Sequence, residues 1–96
     1  MISIPFRKYK FKVKEEEGKR YIFDEIRKKY ILITPEEWVR QNIIHYLVYD
    51  LNYNKNRIAI EKEFVVNKLK KRFDILVYKE YMEVFMLIEC KAPHIK

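Results

Sequence analysis

A chain of 96 residues with 49% hydrophobic and 16% aromatic residues reads as one folded domain with a thin core, not as a disordered segment. Its 21 Lys and Arg against 14 Asp and Glu leave a net charge of +7, which suits a polyanion such as nucleic acid or an acidic membrane surface. A single Cys excludes a disulfide framework and a Cys-rich zinc site, and no apolar run is long enough for a signal peptide or a bilayer span, so a cytoplasmic protein is expected.

Residues 7–14, "RKYKFKVK", alternate strictly, with Lys8, Lys10, Lys12 and Lys14 on one side and Tyr9, Phe11 and Val13 on the other. Period two with one apolar face predicts a half-exposed strand. Lysines on such a strand either track a DNA backbone or, more simply, discourage edge-to-edge aggregation. Gly18 in "EEEGKR" can take the positive φ of a tight turn. "YIFDEI" and "KKYILI" then read as two more strands, so residues 1–33 form a small antiparallel sheet packed on the core.

The period changes at Thr34. Thr34 is a good N-cap, Pro35 suits the first helical position, and Glu37 completes a T-x-x-E capping box. Ile44, Leu47, Val48 and Leu51 make one buried stripe. Extended backwards, that stripe runs through Gln41, Arg40 and Glu37. Polar groups at the start of an apolar face suggest a helix end that abuts something charged. "NYNKN" stops the helix, and three strands are expected at about 57–66, 70–78 and 83–90, the last two joined by "KEYME".

The last hairpin carries the chemistry. Arg72, Asp74, Leu76 and Tyr78 share one face of its first strand, and Leu87, Glu89 and Lys91 share one face of its second. In a register whose cross-strand numbers sum to an odd value, Asp74 joins Glu89 and Lys91 on one face; an even sum puts it on the other. Two carboxylates with the Cys90 backbone carbonyl and waters suit Mg²⁺ or Mn²⁺, and Lys91 would then sit beside an activated water. The same three residues also make sense as a structural ion pair at a sheet end. Cys90 itself reads as a small buried apolar group.

"RFDILVY" followed by "ECK" resembles the PD-(D/E)XK nuclease signature. The fuller pattern "TPEEWVRQ…IEKEF…KKRFDILVY…LIECKAP" resembles the N-terminal domain of type I restriction enzyme R proteins from about Tyr21 to Pro93. The resemblance implies an α+β fold: an N-terminal antiparallel sheet leading into the αβββ part of a restriction-endonuclease-like core over residues 34–96. It implies Asp74 and Glu89 as metal ligands, Lys91 as catalytic lysine, and Glu37 as a carboxylate from the preceding helix. Phe73 stands where the family's pattern has Pro. The family's core continues beyond the ExK strand, so a missing segment, a second copy or a partner chain is expected to complete it.

The expected activity is Mg²⁺-dependent hydrolysis of DNA phosphodiesters, with DNA held by its phosphates. Lys70, Lys71 and Arg72 are the expected phosphate contacts, with Arg40 and Gln41 weaker candidates, Arg40 being equally suited to a surface ion pair. Glu61 rather than Glu63 is expected to face the site. His45 and His94 have no partner at metal-ligand spacing. No GxxxxGK[ST] loop is present, so ATP use is not expected of this chain. The alternative is a non-catalytic nucleic-acid-binding or assembly module that keeps the nuclease fold.

Overall fold

The computed structural model describes residues 8–80 and 83–90. Strands β1 (Val13–Glu16), β2 (Lys19–Asp24) and β3 (Lys29–Leu32) form one antiparallel sheet in that order. Helix α1 (Pro35–His45) comes next and runs into a π-helical turn, Tyr46–Asp50. A 3₁₀ turn, Lys55–Arg57, leads into β4 (Ile58–Val66), β5 (Leu69–Tyr78) and β6 (Val84–Ile88), a second antiparallel sheet. The fold is therefore α+β, with one helix and two three-stranded sheets among the described residues. No helix among them is long and apolar enough to cross a membrane.

Local chemistry accounts for the element boundaries. Glu17 and Gly18 both have positive φ, 51° and 75°, and form the two-residue turn between β1 and β2. Asn67 and Lys68, at 51° and 65°, do the same between β4 and β5. Thr34 caps α1 by accepting a hydrogen bond from the Glu37 backbone N–H at 3.0 Å.

Two expectations need correction. The strand expected over 7–14 begins only at Val13, and Val13 is exposed. The segment before it leaves the sheet because its aromatics pack on the helix instead. Phe11 lies 4.9 Å from Trp38 and 4.5 Å from His45, ring centre to ring centre, and the Tyr9 hydroxyl donates to Asp50 at 2.8 Å. The helical stripe also loses its last member: Leu51 is 45% exposed. The π-helical turn, closed by Leu51 N–H to the Tyr46 carbonyl at 3.0 Å, inserts an extra residue and rotates Leu51 off the buried face.

The core lies between α1 and the second sheet. Ile44 and Leu47 from the helical segment meet Ile58, Ile75, Val77 and Cys90 from the strands. Each fully buried aliphatic side chain contributes about 1.5–3 kcal/mol. This packing fixes the helix across β5 and so sets its polar first turns against the end of the sheet.

The register of the last hairpin is odd: Ile75 pairs with Ile88, Leu76 with Leu87 and Val77 with Met86, before a one-residue shift at Tyr78. Continued by one residue, it sets Glu89 opposite Asp74. β6 pairs β5 only from Ile75 onward, so the β4–β5 hairpin extends past it as a two-stranded ribbon.

Candidate active site

The polar start of the helical stripe is buried, and what it abuts is an ion network. Asp24, at the end of β2, accepts from the backbone N–H groups of Ile26 and Arg27 at 2.8 and 2.7 Å, closing the turn into β3. Its other oxygen accepts from Arg27 Nε and from Gln41 Nε2, both at 2.8 Å. Arg27 then reaches both oxygens of Glu37, at 3.0 and 2.9 Å. Burial works against the Arg27 charge, but its hydrogen bonds to Glu37 and Asp24 and the charges of both carboxylates outweigh it and hold its pKa above the ordinary value.

Glu37 does not return a hydrogen bond to Thr34 as a capping box would. Its carboxylate accepts two bonds from Arg27, one from Arg40 Nη1 at 2.8 Å and one from Gln41 Nε2 at 3.1 Å. Four accepted bonds fill the acceptor capacity of a carboxylate. In this arrangement Glu37 has no lone pair to offer a metal; it positions Arg40.

Arg40 is the hub, buried rather than part of a surface ion pair. Its Nη2 donates to Asp74 Oδ1 at 3.2 Å, and Glu61 and Glu36 lie 3.5 and 3.6 Å from its two Nη atoms. Burial alone would lower its pKa, but the surrounding carboxylates, Glu37 foremost, outweigh burial and raise it above the ordinary value, so it stays charged. Gln41 has no accessible surface, so in this conformation it braces Asp24 and Glu37 and does not touch a ligand.

Asp74 is reached by solvent, its side chain 21% exposed. Its Oδ2 accepts from the Cys90 backbone N–H at 2.7 Å, which ties the end of the ExK strand to the Asp strand. Glu61 comes to the same place by an unusual route. It lies opposite Asp74 in the β4–β5 register, and its φ of +53° interrupts the ladder between Ile60 and Lys62. A non-glycine residue in that conformation costs about 1 kcal/mol or more. Glu63 stays exposed on the ribbon.

Glu89 is exposed, and Lys91 lies outside the described residues, as does His94. Cys90 is buried, and burial, then the Asp74 charge, pushes its thiol up to about 11, so it is inert at neutral pH. His45 is buried beside Gln41 and the aromatics and takes no part in the network around Arg40.

No group of three or more His, Cys, Asp and Glu among the described residues is arranged to hold a metal. Mg²⁺ does not require one, because one or two carboxylates with several waters suffice. Asp74 accepts one hydrogen bond on each oxygen and keeps a lone pair on each, and the β5–β6 register, extended one residue past its last pair Ile75–Ile88, would set Glu89 opposite it. Gln41 Oε1 and Arg40 Nε are buried without a partner among the described residues, so the network is incompletely satisfied as it stands. The donor set fits an open, water-rich site of two carboxylates, not a closed cage.

Sequence reasoning missed Asp24 and Arg27. The polar stripe of α1 required a charged neighbour, but nothing local identified which; the partners come from a turn ten to seventeen residues away. The only local signal was an Asp beginning a turn, which is common.

The family model described as Type I restriction enzyme R protein N terminus matches residues 35–96, more than half of the chain, and the chain belongs to that family. The match begins at Pro35 rather than near Tyr21, so Asp24 and Arg27 lie outside it. No curated protein and no solved structure matches the chain.

Proposed function

We propose that this chain is a Mg²⁺-dependent (or Mn²⁺-dependent) endonuclease domain of a restriction system, hydrolysing DNA phosphodiester bonds in the cytoplasm on a restriction-endonuclease-like core. The observation that carries the reading is the convergence at one sheet end of Asp74, the Cys90 N–H and Arg40; the β5–β6 register, extended one residue past Ile75–Ile88, would bring Glu89 opposite Asp74.

Asp74 and Glu89, with the Cys90 carbonyl, would hold the metal. Bound there, it supplies a water of lowered pKa and positive charge for the phosphate. The chain's own residues do the rest. Cys90 N–H and Arg40 Nη2 fix the Asp74 carboxylate from two sides, so it is oriented before anything binds. Glu37, with Arg27 and Gln41 behind it, fixes Arg40. Lys91, two residues past Glu89, orients the attacking water or takes its proton. The water oxygen forms a new bond to phosphorus, the opposite P–O bond breaks, and the leaving sugar oxygen takes up a proton. Lys70, Lys71 and Arg72 contact flanking phosphates, so binding weakens steeply with salt.

The test is nicking of supercoiled plasmid with Mg²⁺ by the wild type and by Asp74→Ala, Glu89→Ala and Lys91→Ala. Cleavage by the wild type with loss in all three variants is expected. Cleavage that persists in any of them removes that residue from the assigned role. An inactive wild type that binds DNA would establish the second reading.

That second reading is a non-catalytic nucleic-acid-binding or assembly module. It has its own observation: the network already engages both Asp74 oxygens and saturates Glu37. The exposed Val84, Phe85 and Leu87 of β6 would then pair with a second copy or a partner chain. Mass that rises with protein concentration would identify the copy.

A further inference from the structure

Beyond Ile75 the β4–β5 hairpin carries no third strand among the described residues. Lys62–Val66 pair with Leu69–Phe73 alone, and residues 67–72 are all exposed. The five paired positions from Phe73 to Leu69 and the tight Asn67–Lys68 turn give a ribbon that reaches about 17 Å past Asp74, at roughly 3.4 Å per residue. Over residues 61–72 it carries five cations, Lys62, Lys68, Lys70, Lys71 and Arg72, against Glu61 and Glu63. Glu61 is engaged at the base by Arg40, and none of the five cations is in an ion pair with another described residue. Glu63 lies opposite Arg72 in the register, and beyond that pair the charge toward the tip is positive with no acidic residue against it.

The cations lie on both faces. By strand alternation Lys70 and Arg72 share the face of Asp74, while Lys62 and Lys71 lie on the other. The 5.8 Å approach of Lys71 Nζ to the Phe73 ring marks that second face. Lys68 stands at the tip. Beside it Val65 and Leu69 are each 70% exposed, an apolar end on a charged arm.

We propose that this ribbon is a groove-reading arm, seated in the major groove of duplex DNA next to the phosphate that Asp74 addresses. This rests on DNA being the substrate. Two strands about 4.8 Å apart with their side chains fit the major groove, about 12 Å wide, and are too bulky for the minor groove, about 6 Å wide. Seated there, the two faces set cations against both phosphate walls. Val65 and Leu69 meet base edges, where apolar side chains recognise the thymine methyl group. A ribbon lying flat across the backbone would use the cations of one face only. The arm thus adds sequence-dependent contacts to a site whose chemistry is indifferent to sequence.

The experiment is duplex binding by the full chain in EDTA, so that no cleavage intervenes, as a function of salt and with dimethyl sulfate probing of guanine N7 in the major groove. Wild type, Lys70→Ala and Lys71→Ala are compared, with circular dichroism melts as a control on folding. Each substitution should lower affinity about five- to tenfold at 0.1 M salt and flatten the plot of log K against log salt by about one. Wild type should protect guanine N7. A loss with Lys70→Ala but none with Lys71→Ala overturns insertion, because one face alone then touches DNA. Wild-type binding unchanged by both substitutions, or without N7 protection, overturns the arm and leaves the nuclease reading standing. A wild type that binds no duplex overturns both.

Discussion

Arg40 and Arg72 are the same side chain in opposite settings. Arg40 is buried among Glu36, Glu37, Glu61 and Asp74; Arg72 stands exposed on the ribbon with no described ion-pair partner. Both belong to the same small basic domain, yet their charges have different work. A buried guanidinium can be kept only if carboxylates offset its lost hydration, and its removal leaves those carboxylates stranded. An exposed one costs nothing to keep and contributes little to folding, so it is free to meet a phosphate. Inner charges here hold geometry; outer charges are available to a polyanion.

The largest expected effect breaks the inner network. Arg40→Met takes the cation from Asp74 and Glu61 and leaves Glu37 to Arg27 and Gln41, and should destabilise the fold by about 3–5 kcal/mol in urea denaturation. Asp24→Ala should come next at about 1–3 kcal/mol, since it takes one of two carboxylate partners from both Arg27 and Gln41 and opens the turn into β3.

A smaller effect appears on acidification. Burial lowers the pKa of His45, against the charges of Glu25 and Asp24, while Lys55 adds to the lowering. The unfolded chain therefore binds this proton more readily than the folded one. The contribution to stability is complete above about pH 6.5, the unfolded value, and is lost as pH falls below it toward the lowered folded pKa. Urea midpoints at pH 7 and pH 5.5 should fall more for the wild type than for His45→Gln. Smallest of all, Arg72→Ala should leave stability within about 0.5 kcal/mol of wild type. A clear loss in that variant would erase the distinction between the two regions.

Much of this division was legible in the chain. The N-cap at Thr34, the Gly18 turn and the three C-terminal strands come from local rules, and they appear where those rules put them. The buried run of Glu37, Arg40 and Gln41 continues a helical stripe, so a charged neighbour could be inferred before its identity. That neighbour could not be read: Asp24 and Arg27 reach the helix through tertiary packing, which no periodicity encodes. Leu51 misled because a π-helical turn breaks the period that the stripe assumes. The lysine row misled because its alternating aromatics suit packing on a helix as well as they suit a strand. Glu61 reaches Arg40 only through a positive φ in mid-strand, a conformation sequence does not announce.

The central claim is that Asp74 and Glu89 together make a metal site that the inner network orients. Calorimetric titration of Mg²⁺ and Mn²⁺ into the wild type, Asp74→Ala and Glu89→Ala tests it most directly. The account predicts saturable binding to the folded wild type and none to either variant. No binding by the folded wild type, or binding that survives Asp74→Ala, would contradict it.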